Sequence, residues 1–238
     1  MTAPSPHAQF RQNAARGILF MCLAILIMPV MNGMAKSLTV DHPVAMVVWA
    51  RFTGHLVAMT LVFWPGRGWR LFKTARPAVQ LTRSAIMFLS NGCYISALSV
   101  VALATASAIM FTAPLMVTAL SVPFLGEKVG IRRWTAVVIG FIGALIIIRP
   151  GMDTPGFDAT GVGLILLLVS AACFAVYQIL TRKLSDRDSA ETMIVYMPLT
   201  GAIAMSCAMP LFGVVPEGWS NWVLFVLVGL LGGFTQYF

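Results

Sequence analysis

The sequence predicts an all-α polytopic membrane protein of eight transmembrane helices, laid out as two inverted five-helix repeats of which the second lacks its last two helices. Three observations carry that prediction. The chain is 59% hydrophobic and 10% charged, with a mean hydropathy of +0.88, more apolar mass than one water-soluble core can enclose. Its charge-free runs have the length of membrane spans, and its two halves repeat one another at a fixed offset.

The spans follow from the runs, since a helix needs about 20 mostly apolar residues to cross the hydrocarbon core. Gly17 to Ala35 is the first and Pro43 to Trp64 the second, with Arg51 inside it. Ser84 to Gly126 carries no charge and is twice the length of one span, so it reads as a hairpin turning near Leu103 to Thr105 and supplies spans three and four. Trp134 to Ile148 is short, but Arg133 and Arg149 can snorkel to the two interfaces. Ala159 to Thr181, Thr192 to Val215 and Gly218 to Phe238 give spans six to eight.

Loop charges test the count independently, because Lys and Arg favour the cytoplasmic side. Eight spans gather Arg11, Arg16, Arg67, Arg70, Lys73, Arg76, Arg83, Lys128, Arg132, Arg133, Arg182, Lys183 and Arg187 on the inner side and leave Lys36 and Arg149 outside. Counting Ser84 to Gly126 as one span destroys that asymmetry. The net charge of +8 is accounted for by this orientation signal, so no nucleic-acid partner is implied. Cys22, Cys93, Cys173 and Cys207 sit in separate apolar segments without CxxC spacing, and imply neither a disulfide framework nor a metal site. The N-terminal arginines, apolar run and Gly33-Met34-Ala35 imitate a cleavable signal peptide, but this segment has an internal counterpart.

That counterpart lies about 146 residues on, where Gly17 meets Gly163, Asn32 meets Gln178, Lys36 meets Arg182 and Leu38 meets Leu184. One residue more places Thr53-Gly54 on Thr200-Gly201. Five helices per unit is an odd number, so the second unit starts on the opposite side of the membrane and is inverted. Phe238 then corresponds to about position 92, and counterparts of spans four and five are expected to be missing, through a truncated reading frame or a natural variant. The expected organisation is a tail over 1–16, a first repeat over 17–149, an outer linker over 150–160 and an incomplete second repeat over 161–238.

Several ordered motifs resemble the drug/metabolite transporter superfamily, specifically its EamA-type members. They are Met31-Asn32-Gly33-Met34-Ala35-Lys36, Val48-Trp49-Ala50-Arg51-Phe52, Ala104-Thr105-Ala106-Ser107-Ala108 through Thr112-Ala113-Pro114-Leu115 to Leu125-Gly126-Glu127-Lys128, and Arg132-Arg133-Trp134. Tyr177-Gln178-Ile179-Leu180-Thr181-Arg182 and Gly232-Gly233-Phe234-Thr235-Gln236-Tyr237-Phe238 continue the likeness. The resemblance implies ten helices in two five-helix domains, alternating access, a substrate cavity between the domains and both termini cytoplasmic. The chain departs from it by lacking the last two helices, which bears on assembly and transport.

Arg51 is the residue most in need of an explanation. It lies roughly 12 Å deep in a core about 30 Å thick, where an arginine costs on the order of 3 kcal/mol. All eight acidic residues fall in loops, so no carboxylate in a span meets it. Two roles fit: binding the anionic group of a substrate in a wet cavity, or satisfaction by freed carbonyls and Asn or Tyr side chains. His55, one turn on, is a candidate for proton coupling or a neutral packing group. Asn32, Asn91, Gln178 and Gln236 either bond neighbouring helices or line a polar cavity, and Tyr94, Tyr177 and Tyr237 lie beside them. With Trp49 from the Arg51 motif, the candidate substrate-binding set is Asn32, Trp49, Arg51, Asn91, Tyr94, Tyr177, Gln178 and Gln236. Pro29, Pro114 and Pro198 are expected as helix breaks, and Ala136-Gly140-Ala144 and Gly229-Gly233 as packing ladders.

No catalytic residue, metal ligand or cofactor is expected. A membrane-embedded enzyme would need a motif such as HExxH or GxSxG, and an ATP-driven pump a GxxxxGK[ST] loop. The expected partners are a small-molecule metabolite and the lipid bilayer, with a homo-oligomer as one way for eight helices to suffice. The reading is a secondary carrier of a small anionic or zwitterionic metabolite, such as an amino acid or an S-adenosylmethionine-like solute. Its rival is a non-transporting remnant or partner subunit.

Overall fold

In a computed structural model the described residues are 6–126, 130–148, 159–212 and 218–237, and all their regular structure is helical. The order is α1 (Pro6–Asp41), α2 (Val44–Arg67), a 3-10 turn (Gly68–Phe72), α3 (Pro77–Leu98), α4 (Leu103–Met110) and α5 (Ala113–Leu125). Then come α6 (Ile131–Ile148), α7 (Ala159–Ser185), α8 (Ala190–Tyr196), α9 (Leu199–Phe212) and α10 (Trp219–Tyr237). Helix α1 already begins at Pro6, so the expected N-terminal tail is largely continuous with the first helix. The expected linker lies, up to Asp158, outside the described residues.

Among the described residues, five stretches are long and apolar enough to cross a bilayer: Ile18–Asp41, Val44–Phe72, Leu103–Leu125, Ala159–Leu184 and Ala190–Leu211. Trp219–Thr235 is a shorter apolar helix. Their outer surfaces carry side chains a soluble protein hides: Ile18, Leu26, Leu61, Ile139 and Leu211 are each at least 64% exposed. Surfaces of that kind are stable against lipid and not against water, so the chain is a multi-pass membrane protein.

The helix ends follow local chemistry. Pro43 holds an extended backbone (φ −55°, ψ 136°) and separates α1 from α2. Gly68 closes α2 at φ +50°, and Gly126 caps α5 in the left-handed region at φ +68°. The α3–α4 turn covers residues 99–102, slightly earlier than the expected Leu103 to Thr105. Lys36 of α1 explains the position, since its Nζ donates to the carbonyls of Leu98 (2.8 Å) and Val101 (2.6 Å) and so ends α3 there.

The three expected breaks behave differently. Pro114 opens α5 directly after an interruption at Phe111–Thr112, and Pro198 stands in the gap between α8 and α9. Pro29 instead lies inside an uninterrupted α1, which corrects the expectation for that residue. One proline removes a single backbone bond and can bend a helix without ending it.

The core lies where α2, α3, α7 and α10 converge, around the fully buried Val47, Ile95, Leu98, Leu167 and Val228. The main seams are α3 with α7, α2 with α10, α2 with α9, α1 with α10 and α5 with α7. Ser90 and Ser170 bolt α3 to α7 reciprocally, each hydroxyl donating to the other residue's carbonyl at 2.8 Å. Where α2 crosses α10 there is no room for side chains: a Cβ on Gly54 would lie 2.5 Å from the Gly229 Cα. Gly233 continues that ladder along Met59, and Gly140 packs on Leu115 of α5. Gly92, also helical, has nothing within 4 Å of its missing Cβ.

Gly54→Val should therefore cost about 1–3 kcal/mol through backbone displacement. Gly92→Ala should gain about 0.5–1 kcal/mol through helix propensity. Thermal unfolding in detergent should accordingly move Tm in opposite directions for the two variants.

Candidate functional site

Two arginines lie within the bundle, and they are satisfied in different ways. Arg51 of α2 is half-buried and turns towards α1 and α10. Its Nη1 donates to Asn32 Oδ1 at 3.4 Å, and the Gly232 backbone of α10 passes beside its Cγ. Tyr94 of α3 is within electrostatic reach of the guanidinium and lies near Ser107 of α4. Asn32, Arg51 and Tyr94 thus form one polar layer supplied by three helices. The Asn32 contact is long and neutral, which leaves much of a five-donor guanidinium available to an acceptor.

Trp49 does not join that layer. Two residues along a helix is a turn of about 200°, so Trp49 faces the other way. Its Nε1 donates to Ser206 Oγ of α9 at 3.0 Å. Asn91 is buried and donates to the Met87 carbonyl of its own helix at 3.4 Å. Gln178 lines a groove of about 410 Å³ between α5 and α7, with Pro114, Val117, Thr118, Phe174 and Arg182. The side chain of Gln236 lies outside the described residues.

Tyr177 belongs to the second arginine. Arg83 is 1% exposed and lies in the second turn of α3, although sequence position groups it with the loop cations. The reason is that α3 begins at Pro77 rather than at Ser84, which draws Arg83 into the bundle. Its Nε donates to Gln80 Oε1 (3.1 Å), and its Nη1 donates to Tyr177 OH (3.3 Å) and Thr181 Oγ1 (3.2 Å). Its Nη2 donates to the Met193 carbonyl, and the guanidinium stacks over the Tyr177 ring, 5.2 Å from its centroid. Gln80 passes the charge outward, its Nε2 donating to Asp188 Oδ2 at 2.8 Å. The available signal was the i, i+3 pair Gln80 and Arg83 facing the i, i+4 pair Tyr177 and Thr181.

The interruption at Pro198 is answered by the same helices. Proline has no N–H, so the Ile194 carbonyl four residues earlier has no helical donor. The buried imidazole of His55 lies near that carbonyl, and its Nε2 has no hydrogen-bond partner among the described residues. Ser84 Oγ donates to the Met197 carbonyl and accepts from the Thr200 N–H, both at 2.9 Å. His55 is therefore placed at the broken helix, while Arg51 on the same helix faces Asn32.

These features define a class: a multi-pass helical membrane protein whose bundle carries cations and amides inside and an apolar surface outside. Residues 15–149 match the EamA-like transporter family, and the chain belongs to that family. A riboflavin transporter of Rhizobium johnstonii is 30% identical over 233 residues, covering 95% of this chain and 74% of that protein. An S-adenosylmethionine uptake transporter of Rickettsia felis is 26% identical over 223 residues, covering 93% and 73%. One crystal structure matches at 21% identity with a TM-score of 0.66 over 92% of this chain and 76% of that one, a likeness of fold.

Asp188, in the α7–α8 connection, gives a measurable consequence. Burial pushes its carboxyl up, but hydrogen bonds from Thr74 Oγ1, the Ala75 N–H (3.1 Å) and Gln80, with the nearby Arg83 charge, outweigh this and hold it below the usual carboxylate range. A lowered pKa in the folded state stabilises above the unfolded value of 3.8, and that stabilisation is lost as pH falls through the folded value. At pH 7 the wild type should have a higher Tm than Asp188→Asn, and the two should converge in acid well below 3.8. A constant gap across the acid range would show that the Asp188 charge does not stabilise the fold.

Proposed function

We propose that the chain is a secondary transporter that carries a small organic metabolite across the bacterial inner membrane by alternating access. The observation that carries this reading is Arg51, deep in a span with a long bond to the neutral Asn32 and, among the described residues, no carboxylate paired with it. A substrate carboxylate or ring carbonyl arriving at Arg51 would supply the missing acceptor in a medium where such bonds are strong. The proposed solute is an anionic or zwitterionic metabolite, with a ring system accommodated beside Tyr94. The two relatives, a riboflavin transporter and an S-adenosylmethionine uptake transporter, support a ring-bearing solute with a polar tail.

The helix seams support the inverted-repeat arrangement. If α1, α2 and α3 correspond to α7, α8–α9 and α10, then α3 on α7 is matched by α10 on α1, and α2 on α10 by α9 on α3. Helix α2 on α9 is its own counterpart. A pseudo-two-fold axis in the membrane plane produces such exchanged pairs, and the cleft it creates is where a carrier holds its substrate. Loop charge favours an N-terminus on the cytoplasmic side, with the α2–α3 and α7–α8 connections facing inward. The family and its transporter relatives favour transport over catalysis.

The test is uptake by proteoliposomes across a metabolite panel that includes riboflavin, S-adenosylmethionine and amino acids. For any solute carried, Arg51→Ala should reduce uptake about tenfold or more at equal protein level, the value of a lost bond to a charged group. Unchanged uptake by that variant would remove Arg51 from the binding site.

A further inference from the structure

Helix α8 is held almost entirely by the other half of the molecule. Separated from α9 at Met197–Pro198, it follows a connection that is itself tied to the first half. Asp188 accepts from Thr74, Ala75 and Gln80, and Glu191 pairs with Arg67 at 2.8 Å. Val195 packs on Leu71 and Met59, and Tyr196 OH donates to the Phe72 carbonyl at 2.9 Å. The Met193 carbonyl is held by Arg83, and the Ile194 carbonyl faces His55.

We propose that α8 and the 186–189 connection form the inner gate of the transport path, and that Arg83 is the positioning residue that holds this gate closed, with Asp188 as a second catch. The proposal rests on the carrier reading and its orientation, and adds to them a moving part and its fastening. Three features of the structure carry it. First, the gap at Pro198 interrupts the backbone hydrogen bonds that would make α8 and α9 one rod, so α8 can turn without moving α9. Second, Arg83 is the side chain that joins α3 to both α7, at Tyr177 and Thr181, and α8, at the Met193 carbonyl. Displacing that one group loosens α8 and the inner end of α7, at Tyr177 and Thr181, together. Third, the fastening is made of groups that water can replace. Arg83 is desolvated in the closed arrangement with neutral direct partners, and Asp188 lies at the rim. Inward opening returns a buried cation to water, which offsets the bonds it gives up and brings open and closed states close enough in energy for a substrate to shift them.

The experiment is hydrogen–deuterium exchange of the full chain in lipid nanodiscs, comparing wild type with Arg83→Gln, Arg83→Lys and Asp188→Asn. Amides of 190–196 should exchange at least tenfold faster in Arg83→Gln and in Asp188→Asn, less so in Arg83→Lys, while those of 44–58 and 159–176 keep wild-type rates. Asp188 is a partly exposed connection residue, so its variant keeps the test alive should Arg83→Gln fail to fold. No change at 190–196 in Asp188→Asn, or an equal rise in every helix, would overturn the gate. A second arm joins Thr74→Cys to Asp188→Cys in a chain whose four native cysteines are serine. Oxidation should abolish uptake and reduction restore it, whereas full uptake through the closed disulfide overturns the proposal. If the wild type moves no solute, the carrier reading fails, and exchange alone then decides whether Arg83 and Asp188 fasten α8.

Discussion

Hydrocarbon offers no hydrogen bonds, so every peptide group that a broken helix releases must be met by protein. That constraint organises this molecule around the interruption between α8 and α9. Ser84 of α3 takes up the Met197 carbonyl and the Thr200 N–H, His55 of α2 lies by the Ile194 carbonyl, and Arg83 of α3 adds a second donor to the Met193 carbonyl, which already accepts from the Met197 N–H. The break in one half therefore dictates which polar residues the other half must carry, and at what depth. The reciprocal Ser90 and Ser170 bonds then fix how α3 lies along α7, so that Arg83 reaches its partners on both α7 and α8.

The two arginines show how environment separates roles among identical side chains. Arg83 donates to three side chains and a carbonyl and stacks on a ring, which engages four of the five donors of its guanidinium inside the protein. Arg51 has one long bond to Asn32 and glycine backbone on its α10 side. A group with most of its donors engaged positions other elements; a group with several to spare can bind something that arrives. Depth in the membrane does not distinguish them, and the census of hydrogen bonds does.

Composition and charge-free runs made the membrane class legible, because the need for long apolar helices leaves its mark on every span. The family was legible in ordered short motifs such as the one around Arg51. The site was legible only in part. Asn32, Arg51 and Tyr94 do assemble, whereas Trp49 and Tyr177 bond elsewhere and Gln178 lines a separate groove. Which face of a helix a residue occupies depends on crossing angles, and these are set by packing that no single span encodes. The role of Arg83 is hidden in the sequence for a related reason. A cation at the edge of an apolar run looks like a loop residue until the helix start, here Pro77, is known. Pro29 was misleading in the opposite sense, since whether proline bends or ends a helix depends on what its neighbours can absorb.

The crossing of α2 and α10 constrains how this protein can change. At most helix contacts a bulky substitution on one side is repaired by trimming its neighbour, because volume can be traded between two side chains. Gly54 and Gly229 have none to trade: each presses on the other's backbone. A genetic suppressor of damage at either position cannot lie at the other. It must act by shifting a helix axis, and since α2 also packs on α9, that shift spreads beyond the pair. The two glycines thus form a locked pair, open to joint conservation and closed to compensation.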